Sequence, residues 1–433
     1  MTSSLKKTLI ISSYAPPSMG GGPQILFNLL RDFPENSYCI MTSFHNIDNL
    51  SAKTGTWLKE KYIFYDNISA SGSLKTHLEI TKELPSRLIL NKLRHLVKRI
   101  WFLGLLSGIF IIGSQIIMML RTGIKTIKKE KIEIMVGISD YGPAMISTYL
   151  LHKITKKPYY IFLFDLYKNN FYPVFPAKIL ANIFEPKLFK NAQRIIVNNK
   201  GALNFYAKEY GEKIKEKITV IYNPTFAEPY LKLTKPYNPK PPYTIIFTGR
   251  ISWPQIGALK NLVKAVDEID DLDIKLKIYT PSPTDYLKKI GIEKSEKVEI
   301  AVAPSQEIPK IQSQADTLFL PLSWHTKSQD IIDTATPGKL TEYLIAGRPI
   351  LIHAPTSTFL VKYAKENNFA AVVDEENTEK LKGAIKKLLT DKKLAKELVK
   401  NAKATFNKNH DANHNSLIFQ ELFKAPGLNK PYK

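Results

Sequence analysis

A lysine and a glutamate stand near the start of a helix that the sequence predicts late in the chain. Thr336 fits the N-cap of this helix, and Pro337 fits its first position, where a missing N–H costs nothing. Gly338 leaves the approach open, and Lys339 adds positive charge beside free backbone N–H groups, which favours a diphosphate. Glu342 lies about 8–9 Å beyond the cap at roughly 1.5 Å per residue, where a carboxylate can accept hydrogen bonds from a ribose. An ordinary capped helix before a core strand gives the same local pattern.

Metal and thiol chemistry have little support in the sequence. His410 and His414 are four residues apart, a spacing that lets two side chains share a helix face and bind a metal. The asparagines and lysines around them indicate a helix end or a loop instead. Cys39 is the only cysteine, which excludes a disulfide framework and a thiolate cluster and fits a reducing compartment. We therefore expect no metal and no bound cofactor.

The charge balance favours an anionic partner. The 433 residues carry 62 basic and 39 acidic side chains, a net charge of +23. Such an excess suits nucleic acid, an anionic membrane surface or phosphorylated substrates. The lysines are spread along the whole chain without a dense basic run, which weakens the nucleic-acid interpretation. A solvated lysine-rich surface explains part of the excess.

An uncharged apolar segment, Ile100–Leu120, is about as long as the ~20 residues that span a bilayer. Strands on both sides of it are expected in one sheet, and a single crossing would separate them. Two interpretations therefore remain for the region 96–121. It is either a monotopic helix or hairpin whose basic flanks, including Lys82–Arg99, meet anionic headgroups, or an unusually apolar helix packed on the sheet. The first interpretation, a monotopic helix or hairpin, places the protein in the cytoplasm, peripheral or monotopic on the inner face of the cell membrane.

Apolar strand-like runs alternate with helix-length segments along the whole chain. The strand candidates of the first half are Thr8–Ser13, Tyr38–Met41, Ile132–Ile138, Pro158–Phe164, Arg194–Val197 and Lys217–Ile221. Those of the second half are Tyr243–Gly249, Ile274–Tyr279, Val298–Val302, Asp316–Pro321, Ile350–His353 and Ala371–Val373. This alternation predicts two doubly wound α/β domains with mostly parallel sheets.

A proline-rich linker, Lys232–Pro242, separates the two halves. The expected domains are 1–235 and 236–405, with a tail at 406–433 that returns to the first domain. Ligands of such sheets bind beyond the carboxyl ends of the strands, and two facing halves make the cleft between them the default site.

Three motifs stand in a characteristic order: the loop Pro16-Pro17-x-x-Gly20-Gly21, the strand end Phe247–Arg250 and the helix Pro337-Gly338-Lys339-x-x-Glu342-Tyr343. In order and spacing the chain resembles glycosyltransferases of the GT-B fold, above all the retaining family 4 (group 1) type. The resemblance implies two facing Rossmann-like domains. It also implies metal-independent transfer of a sugar from a UDP- or GDP-linked donor, with retention, to a lipid-linked or cell-surface polysaccharide acceptor.

The resemblance also implies roles for particular residues. Arg250 would neutralise the diphosphate leaving group. Asp165, just beyond a strand of the first half, is the candidate that orients acceptor or sugar hydroxyls, although it would also serve as an N-cap. The implied donor-binding residues are Gly20, Gly21, Gly22, Gly249, Pro337, Gly338, Lys339, Leu340 and Glu342.

Two departures from the family pattern keep other functions open. No lysine follows Arg250 within Ile251–Ile256, and Thr334 replaces the first of two glutamates that the family spaces eight residues apart. The alternatives are a GT-B nucleotide-sugar epimerase, a non-catalytic protein that binds a nucleotide sugar or a membrane, and a nucleic-acid binder that rests on charge alone.

Overall fold

The computed structural model describes residues 5–18, 20–47, 57–67, 101–139, 142–170, 175–233 and 236–424, with no side chains at 101–107 and 175. The chain forms two compact units. The first comprises Met1–Ile221 and Asn413–Lys433, and the second comprises Tyr222–Ala412.

The first unit contains seven parallel strands in its described part. They are β1 Thr8–Ile11, β2 Tyr38–Thr42, β3 Lys61–Phe64, β4 Ile134–Ile138, β5 Tyr159–Leu163, β6 Arg194–Val197 and β7 Ile218–Val220. Their order is β3-β2-β1-β4-β5-β6-β7, with β1 paired to both β2 and β4. Strand β3 is an addition to the sequence prediction. Its apolar run, Tyr62–Tyr65, is no shorter than those within β6 and β13 and was overlooked.

Helices cover both faces of this sheet. They are α1 Gly21–Leu30, α2 Trp101–Lys129, α3 Pro143–Thr155, α4 Phe175–Asn191, α5 Lys200–Tyr210 and α15 Ala412–Glu421, with 3₁₀ turns at Phe44–Asn46 and Glu212–Lys217. The alternation of a strand sends Leu9 and Ile11 into the core beneath α2 to α5. It sends Ile10 into the opposite core, beneath α1 and α15.

The second unit contains six parallel strands in its described part. They are β8 Tyr243–Thr248, β9 Ile274–Tyr279, β10 Val298–Ala301, β11 Thr317–Pro321, β12 Ile350–His353 and β13 Ala371–Val373, in the order β10-β9-β8-β11-β12-β13. Buried residues alternate between two cores here as well. Leu318 and Leu320 pack on one face of the sheet, and Phe319 packs on the other. The predicted doubly wound α/β architecture is confirmed for both halves.

The helices of the second unit complete its two outer layers. They are α6 Glu228–Leu231, α7 Ile256–Asp267, α8 Thr284–Lys289, α9 Ile308–Ser313, α10 Gln329–Thr334, α11 Lys339–Ile345, α12 Phe359–Asn367, α13 Thr378–Thr390 and α14 Lys392–Asn409, with a 3₁₀ turn at Ser305–Glu307. The chain enters this unit at Tyr222, earlier than the expected boundary after residue 235. The reason is packing: Tyr222 stacks on Tyr363 with ring centroids 5.5 Å apart, and Tyr230 is buried in the same core.

The apolar segment near residue 100 forms part of one continuous helix, α2. By length and composition, the stretch Gly108–Lys129 could cross a membrane, and 28% of its most apolar 18 residues are buried. Its buried side includes Met119 and Ile127, which belong to the core of the sheet. The expected segment 96–121 therefore differs from α2 at its carboxyl end, and its residues 96–100 and the basic stretch before them lie outside the described residues.

Candidate functional site

The site begins at the carboxyl end of β8, where Lys339 passes beneath Gly249. Gly249 has a φ of +110°, and a Cβ added there would lie 2.3 Å from Lys339 Cε and 2.8 Å from its Nζ. Only glycine leaves this space and adopts this backbone without strain. The ammonium lies 5.2 Å from the centroid of the Phe247 ring, a cation–π distance. The lysine side chain is therefore held beside the end of the strand.

A buried amide fixes the second predicted residue, Glu342. Gln312 is fully buried, and its Nε2 donates to Glu342 Oε2 at 2.8 Å and to Thr248 Oγ1 at 3.0 Å. The Gln312 Oε1 accepts from the hydroxyl of Tyr230 at 2.8 Å. Because every polar atom of this amide has a partner, its orientation is defined. One oxygen of Glu342 is anchored, and Oε1 has no hydrogen bond among the described residues.

A second hydroxyl ties this network to the strand. The Tyr343 side chain is buried and its hydroxyl accepts from the backbone N–H of Thr248 at 3.1 Å. Since Tyr343 follows Glu342 on α11, the end of β8 and the start of α11 are held together by Gln312 on one side and Tyr343 on the other. The geometry of Lys339 and Glu342 thus depends on three separate elements.

Both charged groups are half-buried, and desolvation opposes their ionisation. Burial raises the pKa of the Glu342 carboxyl, while the Gln312 hydrogen bond and the charge of Lys339 lower it. Burial lowers the pKa of the Lys339 ammonium, and the Glu342 carboxylate opposes that shift. No described carboxylate lies within ion-pair distance of Lys339. A phosphate that approached the ammonium would relieve part of this desolvation.

Arg250 follows Gly249 directly and adds a second cation. Its side chain is exposed and makes no ion pair or hydrogen bond with the described residues. The next backbone N–H, that of Ile251, donates to Ser282 Oγ at 3.1 Å, so the loop after β8 is attached to the loop after β9. Ser282 also lines a cavity of about 350 Å³ beyond the ends of β9 and β10.

The start of α11 differs from the sequence prediction. The helix begins at Lys339 and its cap residue is Gly338, so it starts two residues later than predicted and Pro337 precedes it. The Pro337 carbonyl accepts from the N–H of Leu340 at 2.9 Å in a tight turn. The preceding helix, α10, ends at Thr334, so only residues 335–338 connect the two helices.

Two further predicted residues of this segment, Leu340 and Gly338, can offer a ligand only their backbone. Leu340 is fully buried in the core, so only its backbone is available to a ligand. A Cβ at Gly338 would meet nothing within 4 Å, so the fold itself does not require glycine there. Thr334, at the position of the missing glutamate, donates its hydroxyl to the Asp330 carbonyl at 2.7 Å.

A separate group of predicted residues lies in the first unit, at the carboxyl ends of β1 and β5. Gly20, with φ of +140°, precedes α1, whose first residues are Gly21 and Gly22. A Cβ at Gly22 would lie 2.9 Å from the Phe164 ring. The start of α1 therefore approaches the end of β5 closely, and Asp165 follows Phe164 at this point.

The loop that carries Asp165 is firmly anchored. The backbone N–H of Phe164 donates to Ser139 Oγ at 2.9 Å, and its carbonyl accepts from Asn198 Nδ2 at 2.6 Å. Asp165 is not the N-cap of the next helix, because α4 begins only at Phe175. Its side chain is exposed, and the surrounding protein raises the pKa of its carboxyl by desolvation.

The histidine pair of the sequence does not form a joint site. His410 is fully buried, its Nδ1 lies 2.9 Å from the Asn223 carbonyl, and its Nε2 lies 3.0 Å from the Tyr363 hydroxyl. These partners make Nδ1 the protonated nitrogen, a donor to the carbonyl. Burial lowers the pKa of His410 to about 4. His414 is exposed, whereas His410 is enclosed in the core and stabilises the fold through its two hydrogen bonds.

Comparison with known proteins places these features in context. Residues 242–391 match the family model described as Glycosyl transferases group 1, and they include β8, Gln312, Lys339 and Glu342. A search of curated proteins finds no match. The two-domain Rossmann-like fold is that of GT-B glycosyltransferase structures.

Solved structures resemble the chain over nearly its whole length. HepE from Anabaena, solved with UDP and glucose, has a TM-score of 0.60 at 13% identity, covering 97% of this chain and 99% of that one. Sucrose-phosphate synthase from Thermosynechococcus elongatus has a TM-score of 0.62 at 12% identity, covering 96% and 98%. A UDP-N-acetylglucosamine 2-epimerase has a TM-score of 0.56 at 13% identity and covers 100% of both chains. At these identities the likeness concerns the fold.

Proposed function

We propose that the protein is a glycosyltransferase that takes its sugar from a nucleotide-sugar donor. The observation that carries the proposal is the pairing of Lys339 and Glu342 at the end of β8, each held by buried partners, within the segment that matches the group 1 model. A cation beside a carboxylate with one open oxygen suits a ligand that has a phosphate next to a ribose hydroxyl.

In the proposed complex, Lys339 and Arg250 neutralise the diphosphate, and the open Oε1 of Glu342 accepts a hydrogen bond from the ribose. Charge develops on the leaving diphosphate as the bond to the sugar breaks, so two cations placed there stabilise the transition state more than the ground state. Lys339 takes the place of the family lysine that is missing after Arg250. This arrangement is proposed to work without a metal.

The proposal extends to the stereochemistry and the acceptor. Transfer with retention by front-side attack requires the acceptor hydroxyl to be aligned with the anomeric carbon on the side of the leaving group. Asp165 is the proposed residue that orients acceptor or sugar hydroxyls, and the backbone of Gly20, Gly21 and Gly22 is proposed to approach the donor. A lipid-linked or cell-surface polysaccharide acceptor is proposed because the first unit carries a large apolar helix, α2.

A thermal-shift panel of UDP- and GDP-sugars tests donor binding, because a ligand that binds only the native state raises its stability. We expect one nucleotide series to raise the melting temperature, and Glu342→Ala to abolish most of that shift. Glu375→Ala, an exposed glutamate of the same unit, is the matched control. The proposal fails if no nucleotide sugar binds, or if both variants behave alike.

Turnover with lipid-linked acceptors then separates transfer from the alternatives. Transfer with a retained anomeric configuration, read by NMR and unaffected by EDTA, supports the full proposal. Conversion of the donor without any acceptor would instead identify a nucleotide-sugar epimerase. Binding of the donor with no reaction on any acceptor would identify a non-catalytic binding protein.

A further inference from the structure

The outward surface of α2, α3 and α4 in the first unit is unusually apolar. Eleven large apolar side chains are exposed in the described part of the chain, and eight of them lie on these three helices. Phe110 is the extreme case, with 76% of its surface exposed. On α4, Ile179 and Ile183 are exposed one turn apart. Scattered exposed apolar residues need no explanation, but a concentration on adjacent helices marks an interaction surface.

On α2 the exposed residues form a stripe along the helix. Phe110, Ile117 and Ile124 are 76%, 50% and 40% exposed and follow one another at intervals of seven residues, close to two helical turns. The stripe is about 21 Å long at ~1.5 Å per residue. Arg121 and Lys128 lie on the same side of the helix, toward its carboxyl end. Apolar and basic side chains thus share one face, with the cations confined to its carboxyl-terminal half.

The charges of this surface have a single sign. Its exposed basic side chains include Arg121, Lys125, Lys128, Lys153, Lys187 and Lys190. The sequences of α2 and α3 contain no aspartate or glutamate, and Glu185 is the single acidic residue of α4. Glu185 is buried and accepts from the Tyr210 hydroxyl at 2.7 Å, so it does not offset the surface charge.

Aromatic rings join the basic groups where α3 meets α4. Tyr149 and Phe184 form an edge-to-face pair with centroids 6.0 Å apart. Lys153 Nζ lies 5.3 Å from the Tyr149 ring, and Lys187 Nζ lies 5.3 Å from the Phe184 ring. Half-buried aromatic rings with neighbouring lysines are the residues expected at a membrane–water interface, where rings meet acyl chains and lysines meet headgroups.

We propose that the outward surface of α2, α3 and α4 docks on an anionic lipid bilayer, with α2 lying in the plane of the membrane. The inner, cytoplasmic leaflet is the proposed site. On this surface apolar side chains alternate with cations, and the single acid of the three helices is buried. The apolar side chains suit acyl chains, and the cations suit the negative headgroups above them. A second copy of the chain would bring the same cations together across the contact, which charge repulsion disfavours.

The opposite side of α2 explains why the helix lies in the plane instead of crossing the membrane. A Cβ at Gly123 would lie 2.7 Å from Leu151 Cδ1, so this glycine allows α2 to pack directly against α3. Met119 and Ile127 are buried in the core on the same side. A helix that is attached to its own sheet along this length cannot be surrounded by lipid, and only its outer face is available.

Vesicle flotation with the full-length protein tests the proposal. We expect binding to vesicles of equimolar phosphatidylcholine and phosphatidylglycerol, at least tenfold weaker binding to pure phosphatidylcholine, and release by high salt. The double variant Lys125→Glu/Lys128→Glu should lose tenfold or more in affinity for the anionic vesicles, since each basic residue near the surface contributes severalfold. Its control is Lys393→Glu/Lys396→Glu, with the same spacing at two exposed positions of α14.

The apolar stripe has its own matched pair. Phe110→Ser/Ile117→Ser should also lose at least tenfold in affinity for the anionic vesicles. Its control is Leu417→Ser, at an exposed position of α15 on the other side of the same sheet, which should bind like the wild type. The donor-induced thermal shift should remain in all these variants, which separates docking from the proposed catalytic function. Loss of that shift in every variant would indicate misfolding instead of a docking defect and would remove the support for this surface.

Four results would overturn the proposal. Equal affinity for neutral and anionic vesicles, or full binding by both double variants, would exclude this surface as the docking site. Sedimentation showing that the wild type dimerises and Phe110→Ser/Ile117→Ser does not would assign it to a second copy of the chain. Protein that stays in membranes through high salt and alkaline carbonate would mean that α2 is inserted as a span.

Discussion

Replacing the buried amide of Gln312 is expected to damage both the second unit and its donor site. Gln312→Met keeps the length of the side chain and removes three hydrogen bonds, those with Tyr230, Thr248 and Glu342. The Tyr230 hydroxyl loses its acceptor in a buried position, which costs about 1–3 kcal/mol. The loss of the donor to the Glu342 carboxylate costs about 1.5–3 kcal/mol, less the part that water restores to this half-buried group.

We therefore expect the free energy of unfolding to fall by about 3 kcal/mol. For a domain of this size each kcal/mol lowers the melting temperature by about 2–4 °C, so the transition should fall by about 6–12 °C. Scanning calorimetry measures this change. Glu342 also becomes free to rotate, and we expect nucleotide affinity, measured by titration calorimetry, to fall about tenfold, or ~1.4 kcal/mol.

A double-variant cycle makes this reasoning refutable. Adding Tyr230→Phe to Gln312→Met removes the hydroxyl that has lost its acceptor, so the two changes together should cost less than their sum by about 1 kcal/mol. Gln306→Met, at an exposed position of the same unit, should change neither stability nor affinity. Strict additivity in the cycle, or wild-type nucleotide affinity in Gln312→Met, would show that the amide does not position Glu342.

Three further predictions concern single residues of the second unit. Gly249→Ala should lower the free energy of unfolding by about 1–3 kcal/mol, because alanine is strained at this positive φ, and it should displace Lys339. Gly338→Ala is the control and should be nearly neutral, because open space surrounds that position. Equal melting temperatures in the two variants would contradict this prediction. Lys339→Met should weaken nucleotide binding at least tenfold and flatten its salt dependence in titration calorimetry, with little change in melting temperature. Burial lowers the pKa of His410 from 6.5 to about 4, so the folded state favours its neutral form. Its contribution to the free energy of unfolding, about 3 kcal/mol, is present above pH 6.5 and is lost as the pH falls toward 4. Denaturant titrations should show that the free energy of unfolding falls over this pH range in the wild type and falls less steeply in His410→Gln.

Much of the fold could be predicted because parallel strands buried on both faces read as continuous apolar runs. The bounds of β6, β9, β12 and β13 agree with the predicted strands. Strand β3 was not predicted, although its apolar run is no shorter than those within β6 and β13. The start of α11 was also wrong: the cap signal at Thr336 predicts a start at Pro337, and the helix begins at Lys339.

The site was predictable only where it follows a strand or a helix start. Lys339, Glu342 and Gly249 occupy such positions: Lys339 lies against Gly249 and Phe247 at the end of β8, and Gln312 joins Glu342 to Thr248 there. Gln312 was missed because it lies on a short helix, and its three partners are 30, 64 and 82 residues away in the chain. No spacing rule links them, since the sheet order β8-β11 and the packing of α9 bring them together.

The first unit is made from two separated pieces of chain, and this affects the order in which the protein can be made. Its core beneath α1 contains Phe419 and Phe423, and the Tyr160 hydroxyl donates to the Leu422 carbonyl at 2.8 Å. On the ribosome, these closing residues emerge only after the whole second unit, tens of seconds after β1 at about 5–20 residues per second. The nascent amino-terminal half must therefore wait with an open core, and a stop codon near residue 412 would leave that half, not the adjacent one, exposed to aggregation and proteolysis.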